Sequence, residues 1–324
     1  MNSHDKTLIA ILSSVVLVSV GFITLMWVNH LYFSSGAGNG NNPGLVDDDD
    51  DNDTNNSYIT ELFYSELVGD TYKIYLSLPN NYNQTSDRYP VLYILDADWL
   101  FYGSLFLLED GGVENIVQGL IQNNSIPELI LVGIGYPDDN HRNRDFMYPA
   151  SSFPPGSGGA HEFYAFLENE LVPFVDGNLR TNTSERTIIG DSYGGNFLLF
   201  SIFEYSTNSS SLFTNYITIS PSVSYYDYYL LDIEENFFNQ SFGILPINLH
   251  LSVGEDEWKD MVDGVIILNK TIISRDYDNL NFHYHSYPDE GHTSVVGPAI
   301  TDGLEWAFSL SSLRIEFLLS NFFR

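Results

Sequence analysis

The chain has 324 residues, 44% of them apolar and 15% aromatic, which is enough to build one large domain or two smaller ones around a buried core. Its 43 Asp and Glu against 12 Lys and Arg give a formal charge of -31, a field that repels phosphate backbones and argues against a nucleic-acid partner. The absence of cysteine excludes disulfides, zinc–thiolate sites, a cysteine nucleophile and a lipidated cysteine.

The first element in the chain is apolar. Thr7 to Val28 contains no charged residue, and at helical rise it reaches roughly 33 Å, enough to cross a hydrocarbon core. The run is longer than a secretory h-region and shows no clear small-x-small cleavage site, so it reads as a transmembrane signal anchor, with a cleaved signal peptide as the alternative. Lys6 precedes it and the next basic residue is Lys73, which places residues 1–6 in the cytoplasm and the rest outside. Residues 29–57 are rich in Gly, Asn and Asp and read as a flexible acidic linker. The run Asp47 to Asp51 lacks the glycine turn and distal glutamate of a calcium loop. Sequons at Asn52, Asn55, Asn83, Asn123, Asn182, Asn208, Asn239 and Asn269 fit an exported domain.

From Tyr58 to the end, short β-rich runs alternate with helix-compatible stretches. The runs are 72–79, 89–97, 128–136, 186–190, 216–222, 247–254 and 281–288. Helical periodicity is clearest at 161–175, where Phe163, Phe166, Leu167 and Leu171 share a face, and at 196–205 and 297–319. This alternation predicts an α/β domain with a mostly parallel sheet, with an antiparallel hairpin around the VGDT turn at 68–71. The unpatterned stretch 137–160 follows a strand and should lie at the C-terminal edge of the sheet, where ligands bind in such folds.

RTIIGDSYGGNFLLF, residues 186–200, places Ser192 between Gly190 and Gly194. A strand-like run precedes it and a helix-like run follows, the setting in which Gly-x-Ser-x-Gly exposes a nucleophilic hydroxyl on a sharp turn. An ordinary glycine-rich strand–helix turn is the plainer alternative. An activated serine needs a base and an orienting acid. Of the histidines, His292 lies in a loop after the last strand run and before the last helix, where a catalytic base belongs. His250, His283 and His285 fall in strand runs; the last two share a face but have no clear third metal ligand. Glu255, Asp256 and Glu257 all follow Gly254 and could supply the acid, and Asp289 and Glu290 lie beside His292.

The segments YPVLYILDADW, IPELILVGIGYPDDNHRNRDF, IIGDSYGG, SPS, LSVGEDEW and YPDEGHTSVVGPAITDGLEW occur in an order that resembles the esterase D-like branch of the α/β hydrolases, over roughly Tyr58 to Ser320. That branch includes siderophore esterases, feruloyl esterases and S-formylglutathione hydrolases, and the likeness is strongest to the siderophore-esterase-like members. The resemblance implies an α/β-hydrolase fold over 58–324 and a serine esterase that needs no metal or organic cofactor, acting on a small-molecule ester. It puts the nucleophile on Ser192, the base on His292 and the acid on Glu257, with Glu255 in reserve. It puts oxyanion donors on the backbone N–H groups of Tyr193 and Asp98, although Ala97 stands where the family often has glycine. Trp99, Phe101, Tyr102, Tyr225 and Tyr226 are candidates to line a substrate pocket. Arg142 and Arg144 either hold an anionic substrate group or pair with Asp138, Asp139 or Asp145. The rival readings are an acyltransferase using the same acyl-enzyme and a catalytically silent binding domain.

Overall fold

The computed structural model describes residues 58–322, apart from 102, 104–111 and 208. The expected anchor at 7–28, the linker at 29–57 and the candidate pocket residue Tyr102 lie outside the described residues. Among the described residues, no helix is long and apolar enough to cross a membrane.

Strands β1 (Tyr58–Ser65) and β2 (Asp70–Ser77) form the expected hairpin, turned at Gly69 with φ +74°. They are followed by β3 (Tyr89–Ile94), β4 (Ile130–Gly135), β5 (Thr181–Asp191), β6 (Asn215–Ile219), β7 (Asn248–Gly254) and β8 (Asn281–Tyr287). All join one eight-stranded sheet in the order β1-β2-β4-β3-β5-β6-β7-β8. β1 pairs antiparallel with β2 and β2 antiparallel with β4, and the remaining pairings are parallel. Strands β3, β4, β6 and β7 are buried along their whole length. Their near-continuous apolar character follows from helices covering both faces.

The helices are α1 (Ala97–Leu100), α2 (Gly112–Gln122), α3 (Arg142–Phe146), α4 (Ala160–Phe166), α5 (Val172–Asn178), α6 (Tyr193–Tyr205), α7 (Tyr225–Ser241), α8 (Lys259–Arg275) and α9 (Val296–Phe322). A wide turn over Leu167–Leu171 joins α4 to α5, so the expected helix at 161–175 is one element with a π-type irregularity. The stretch 137–160, expected to be irregular, contains the short helix α3.

Two clusters hold the layers together. Ile94, Ile189 and Ile217 on one face of the sheet pack with Val117 of α2 and with Val296, Ile300 and Leu304 of α9. Phe146, Phe163 and Phe197 bring α3, α4 and α6 together edge-on, with ring centroids 5.0 to 5.3 Å apart, and Phe166 stacks on Tyr72 at 4.4 Å. The parallel strands all end on one edge of the sheet. Residues that follow β3, β5, β7 and β8 therefore meet there, although they are nearly 200 residues apart in the chain.

Candidate active site

Strand β5 ends at Asp191, and the chain turns into α6 through Ser192, whose φ of 56° and ψ of -111° are rare for a residue with a side chain. The turn closes because its neighbours are glycines. A Cβ on Gly190 would lie 2.6 Å from the backbone of Gly194, and one on Gly195 would lie 3.0 Å from the carbonyl of Ile219. The backbone holds the bend: Ser192 N donates to Ile219 O at 2.9 Å, and Ser192 O accepts from Asn196 N at 2.9 Å and Ser222 N at 3.3 Å.

His292 sits in the loop between β8 and α9. Its Nδ1 lies 2.7 Å from Oε2 of Glu257, a carboxylate with no side-chain exposure. The other oxygen, Oε1, accepts from Gly254 N at 2.7 Å and from the Ser220 hydroxyl. Gly254 is required here, since a Cβ would fall 2.2 Å from Glu290 O. Burial disfavours a charged ring, but the hydrogen bond to Glu257 and the charges of Asp191 and Glu257 outweigh it and raise the pKa of His292 above its ordinary value. Glu255 turns elsewhere and accepts from the Ser286 hydroxyl at 2.8 Å. Of the carboxylates offered by this loop, Glu257 is the one that meets the imidazole.

Ser192 and the Glu257–His292 pair belong to one bonded network. The segment 219–222 accepts from Ser192 N, donates to Ser192 O and, through Ser220, grips Glu257. The hydroxyl of Ser192 makes no hydrogen bond to His292 in this structure; such contacts are often long in unliganded enzymes and tighten when substrate binds.

Tyr193 opens α6 and Asp98 is the second residue of α1, so the amides of both lie in first helical turns, where N–H groups have no intrahelical acceptor. The side chain of Asp98 is occupied: Oδ1 accepts from the Tyr75 hydroxyl and Oδ2 from Tyr136 N, both at 2.7 Å. Burial raises its pKa.

Arg142 takes a partner that sequence spacing did not suggest. Rather than Asp138, Asp139 or Asp145, its Nε and Nη2 grip the two oxygens of Asp96 at 2.9 Å each. Asp96 is 2% exposed and adopts a left-handed conformation, φ 52°, immediately before α1. The guanidinium also lies over the rings of Trp99, at 5.3 Å, and Tyr193, at 4.9 Å. Of the two roles the sequence left open for Arg142, the structure shows pairing, with Asp96 as the partner. Arg144 pairs with Asp145 at 2.6 Å and with Asp70 at 2.6 Å.

The candidate pocket aromatics separate. Phe101 is fully buried and stacks on Tyr75 with centroids 5.4 Å apart, so it belongs to the core rather than to a pocket. The Tyr225 hydroxyl donates to Pro149 O at 2.7 Å and pins the 137–160 loop. Trp99 and Tyr226 keep exposed surface. Trp258, which sequence reasoning missed, places its ring 5.0 Å from the His292 ring and is 67% exposed. Its position next to Glu257 was the available signal. Asp96, Asp191 and Ser220 were also missed, and no local pattern marks the contacts they make. His250, His283 and His285 lie together between β7, β8 and α9, but among the described residues no group of three His, Asp or Glu side chains is placed to hold a metal ion.

Comparison with known proteins agrees with this architecture. The family model described as "Putative esterase" matches residues 65–261. The ferri-bacillibactin esterase BesA of Bacillus subtilis is 28% identical over 255 residues, 73% of this chain and 84% of that protein. A siderophore triacetylfusarinine C esterase of Aspergillus fumigatus is 30% identical over 51% of this chain and 56% of its own length. Among solved structures, the BES protein from Bacillus cereus aligns with a TM-score of 0.66 and 26% identity, covering 80% of this chain and 99% of that one. Siderophore hydrolase EstA from Aspergillus nidulans shares the fold, with a TM-score of 0.65 and 22% identity over 79% of this chain and 95% of its own. With its α/β-hydrolase sheet and a match over most of the domain, the chain belongs to this esterase family and is an esterase.

Proposed function

We propose that the protein hydrolyses a carboxylic ester through an acyl-enzyme on Ser192. The observation that carries this reading is the 2.7 Å contact between His292 Nδ1 and buried Glu257, on the same hydrogen-bonded network as the strained Ser192 turn. Glu257 keeps the proton on Nδ1, so Nε2 is the basic nitrogen. Nε2 takes the proton of the Ser192 hydroxyl as Oγ bonds to the carbonyl carbon. The carbonyl oxygen gains the negative charge and is met by the N–H groups of Tyr193 and Asp98, a contribution of about 3 kcal/mol per donor. Collapse breaks the ester C–O bond, and His292 returns the proton to the leaving alcohol. Water then repeats the sequence on the acyl-enzyme, with His292 again as base, and restores Ser192.

Several relatives are named as siderophore esterases, which supports a substrate of that class. We assign this chain a siderophore-type or similar small ester, approached over Trp99, Tyr226 and Trp258, with Arg142 shaping the pocket through its pair with Asp96. The uncharged run from Thr7 to Val28 supports an anchored or exported enzyme with its catalytic domain outside the cytoplasm; membrane extraction of the full chain tests that point. Ser192→Ala should remove p-nitrophenyl acetate hydrolysis and fluorophosphonate labelling together. Retention of either by the folded variant would defeat the assignment.

A further inference from the structure

Strand β6 ends at Ile219, and the next residue, Ser220, has a φ of 43°. That left-handed conformation is strained for a residue with a Cβ and suits glycine. The chain does use glycine at the neighbouring bends, at Gly190 and Gly195 around the serine turn and at Gly254 after β7, where a Cβ would collide. At Ser220 it keeps a side chain. That side chain is fully buried, and its hydroxyl donates to Oε1 of Glu257. The backbone around it is engaged separately. Ser220 N donates to Ser252 O at 2.8 Å, Ile219 O accepts from Ser192 N at 2.9 Å, and Ser222 N donates to Ser192 O at 3.3 Å. These are main-chain bonds that do not need a hydroxyl at position 220. What the serine adds is its bond to the carboxylate that faces His292.

We propose that Ser220 is a positioning residue that acts through Glu257: its hydroxyl fixes the plane of the carboxylate so that Oε2 stays aimed at His292 Nδ1, and the left-handed strain is retained for that bond. This rests on the Ser192–His292–Glu257 reading above. Gly254 N, at the end of β7, holds Oε1 at 2.7 Å, and a carboxylate held by that bond alone can swing about it. Ser220 supplies a second donor to the same oxygen from the end of β6, a different direction. With Oε1 held at two points, Oε2 meets Nδ1 at 2.7 Å. Segment 219–222 also closes the turn of Ser192, so it sets the nucleophile's backbone and the acid's orientation together. Ser220 touches no reacting atom itself; its effect reaches the reaction through the tautomer and orientation of the imidazole.

The experiment compares Ser220→Gly and Ser220→Ala with the wild-type chain and with His292→Ala. Both replacements at 220 remove the hydroxyl, but alanine keeps the strain and glycine releases it. Ser220→Gly should therefore unfold at a higher denaturant concentration than Ser220→Ala. Both should nevertheless lose about tenfold in kcat for p-nitrophenyl acetate with KM nearly unchanged, because a hydrogen bond to a charged group is lost away from the substrate. The downfield proton resonance of His292 Nδ1–H should shift or broaden in both. A merely structural serine would make activity follow stability, with glycine close to the wild-type chain. A kcat loss under about fivefold in Ser220→Gly, or an Nδ1–H resonance unchanged from the wild-type chain, overturns the proposal. Failure of Ser220→Gly to fold also overturns it, since the hydroxyl would then serve the fold. Full activity in His292→Ala would instead bring down the triad reading, an outcome separable from the others.

Discussion

Replacing Glu257 by Gln tests the acid at the level of single atoms. In the native site Oε1 accepts two hydrogen bonds, from Gly254 N–H and the Ser220 hydroxyl, while Oε2 faces His292 Nδ1 at 2.7 Å. A glutamine can keep the first pair only by placing its amide oxygen there. Its NH2 then points at Nδ1, which must accept and so loses its proton. The ring is forced into the tautomer protonated on Nε2, which cannot take a proton from Ser192. The flipped amide sets NH2 against the Gly254 N–H, donor against donor, in a site with no solvent to relieve it. Locking the wrong tautomer in a serine triad costs about 10⁴ in kcat, or about 5 kcal/mol of transition-state stabilisation. The assay is kcat/KM for p-nitrophenyl acetate near pH 7.5, with circular dichroism to establish that the variant folds. Glu255→Gln is the control. Its carboxylate meets the Ser286 hydroxyl at the surface, and its rate should stay within about twofold of the parent. A folded Glu257→Gln enzyme that loses less than about tenfold, or a Glu255→Gln enzyme that loses as much, would refute the tautomer argument.

Arg142→Met should cost about 3 to 5 kcal/mol, because it leaves the Asp96 carboxylate buried without its partner. Denaturant unfolding at neutral pH measures this; adding Asp96→Asn should recover part of the loss, and equal stability of the single variant and the parent would contradict the pairing. Acid should destabilise the domain through His250, whose ring burial pushes down to about 3, aided by the nearby His283 and His285. The unfolded ring titrates near 6.5, so below that pH the unfolded state binds a proton that the folded state refuses. Stability falls as pH drops from about 6.5 toward 3, by about 2 kcal/mol at pH 5 from this residue. His250→Phe should flatten the decline, and an unchanged slope in denaturant titrations between pH 7 and 5 would exclude His250 as its source.

The sheet was legible because its signals are local. Runs such as YPVLYI and LILVGIG are apolar on both faces, as strands covered from both sides must be, and turn-forming residues bound them. The serine turn was equally local, since the glycines that allow its close approach flank it in the chain. The position of His292 came from element order, strand then loop then helix. The choice among Glu255, Asp256 and Glu257 did not follow from the residues themselves, because three consecutive acids differ only in which way the loop points them. Family likeness favoured Glu257, and the structure places that side chain against the imidazole. What stayed hidden depends on long-range meetings. Asp96 and Arg142 are 46 positions apart, and their pairing needs α3 folded back over the β3 turn. The burial of Asp191 and the reach of Ser220 to Glu257 appear only once neighbouring strands are in register. Phe101 looked like a pocket aromatic in sequence because the same ring suits a core equally well.

The Asp96–Arg142 clasp has a consequence for how such an enzyme can diversify. It ties the turn carrying Asp98 to the long segment 137–160, so a change in that segment is felt at the turn that would meet the ester's developing charge. Grafting that segment from a relative to change selectivity would slacken the turn and slow turnover unless both members of the clasp travel together. Loop exchange in this scaffold is therefore an exchange of paired parts.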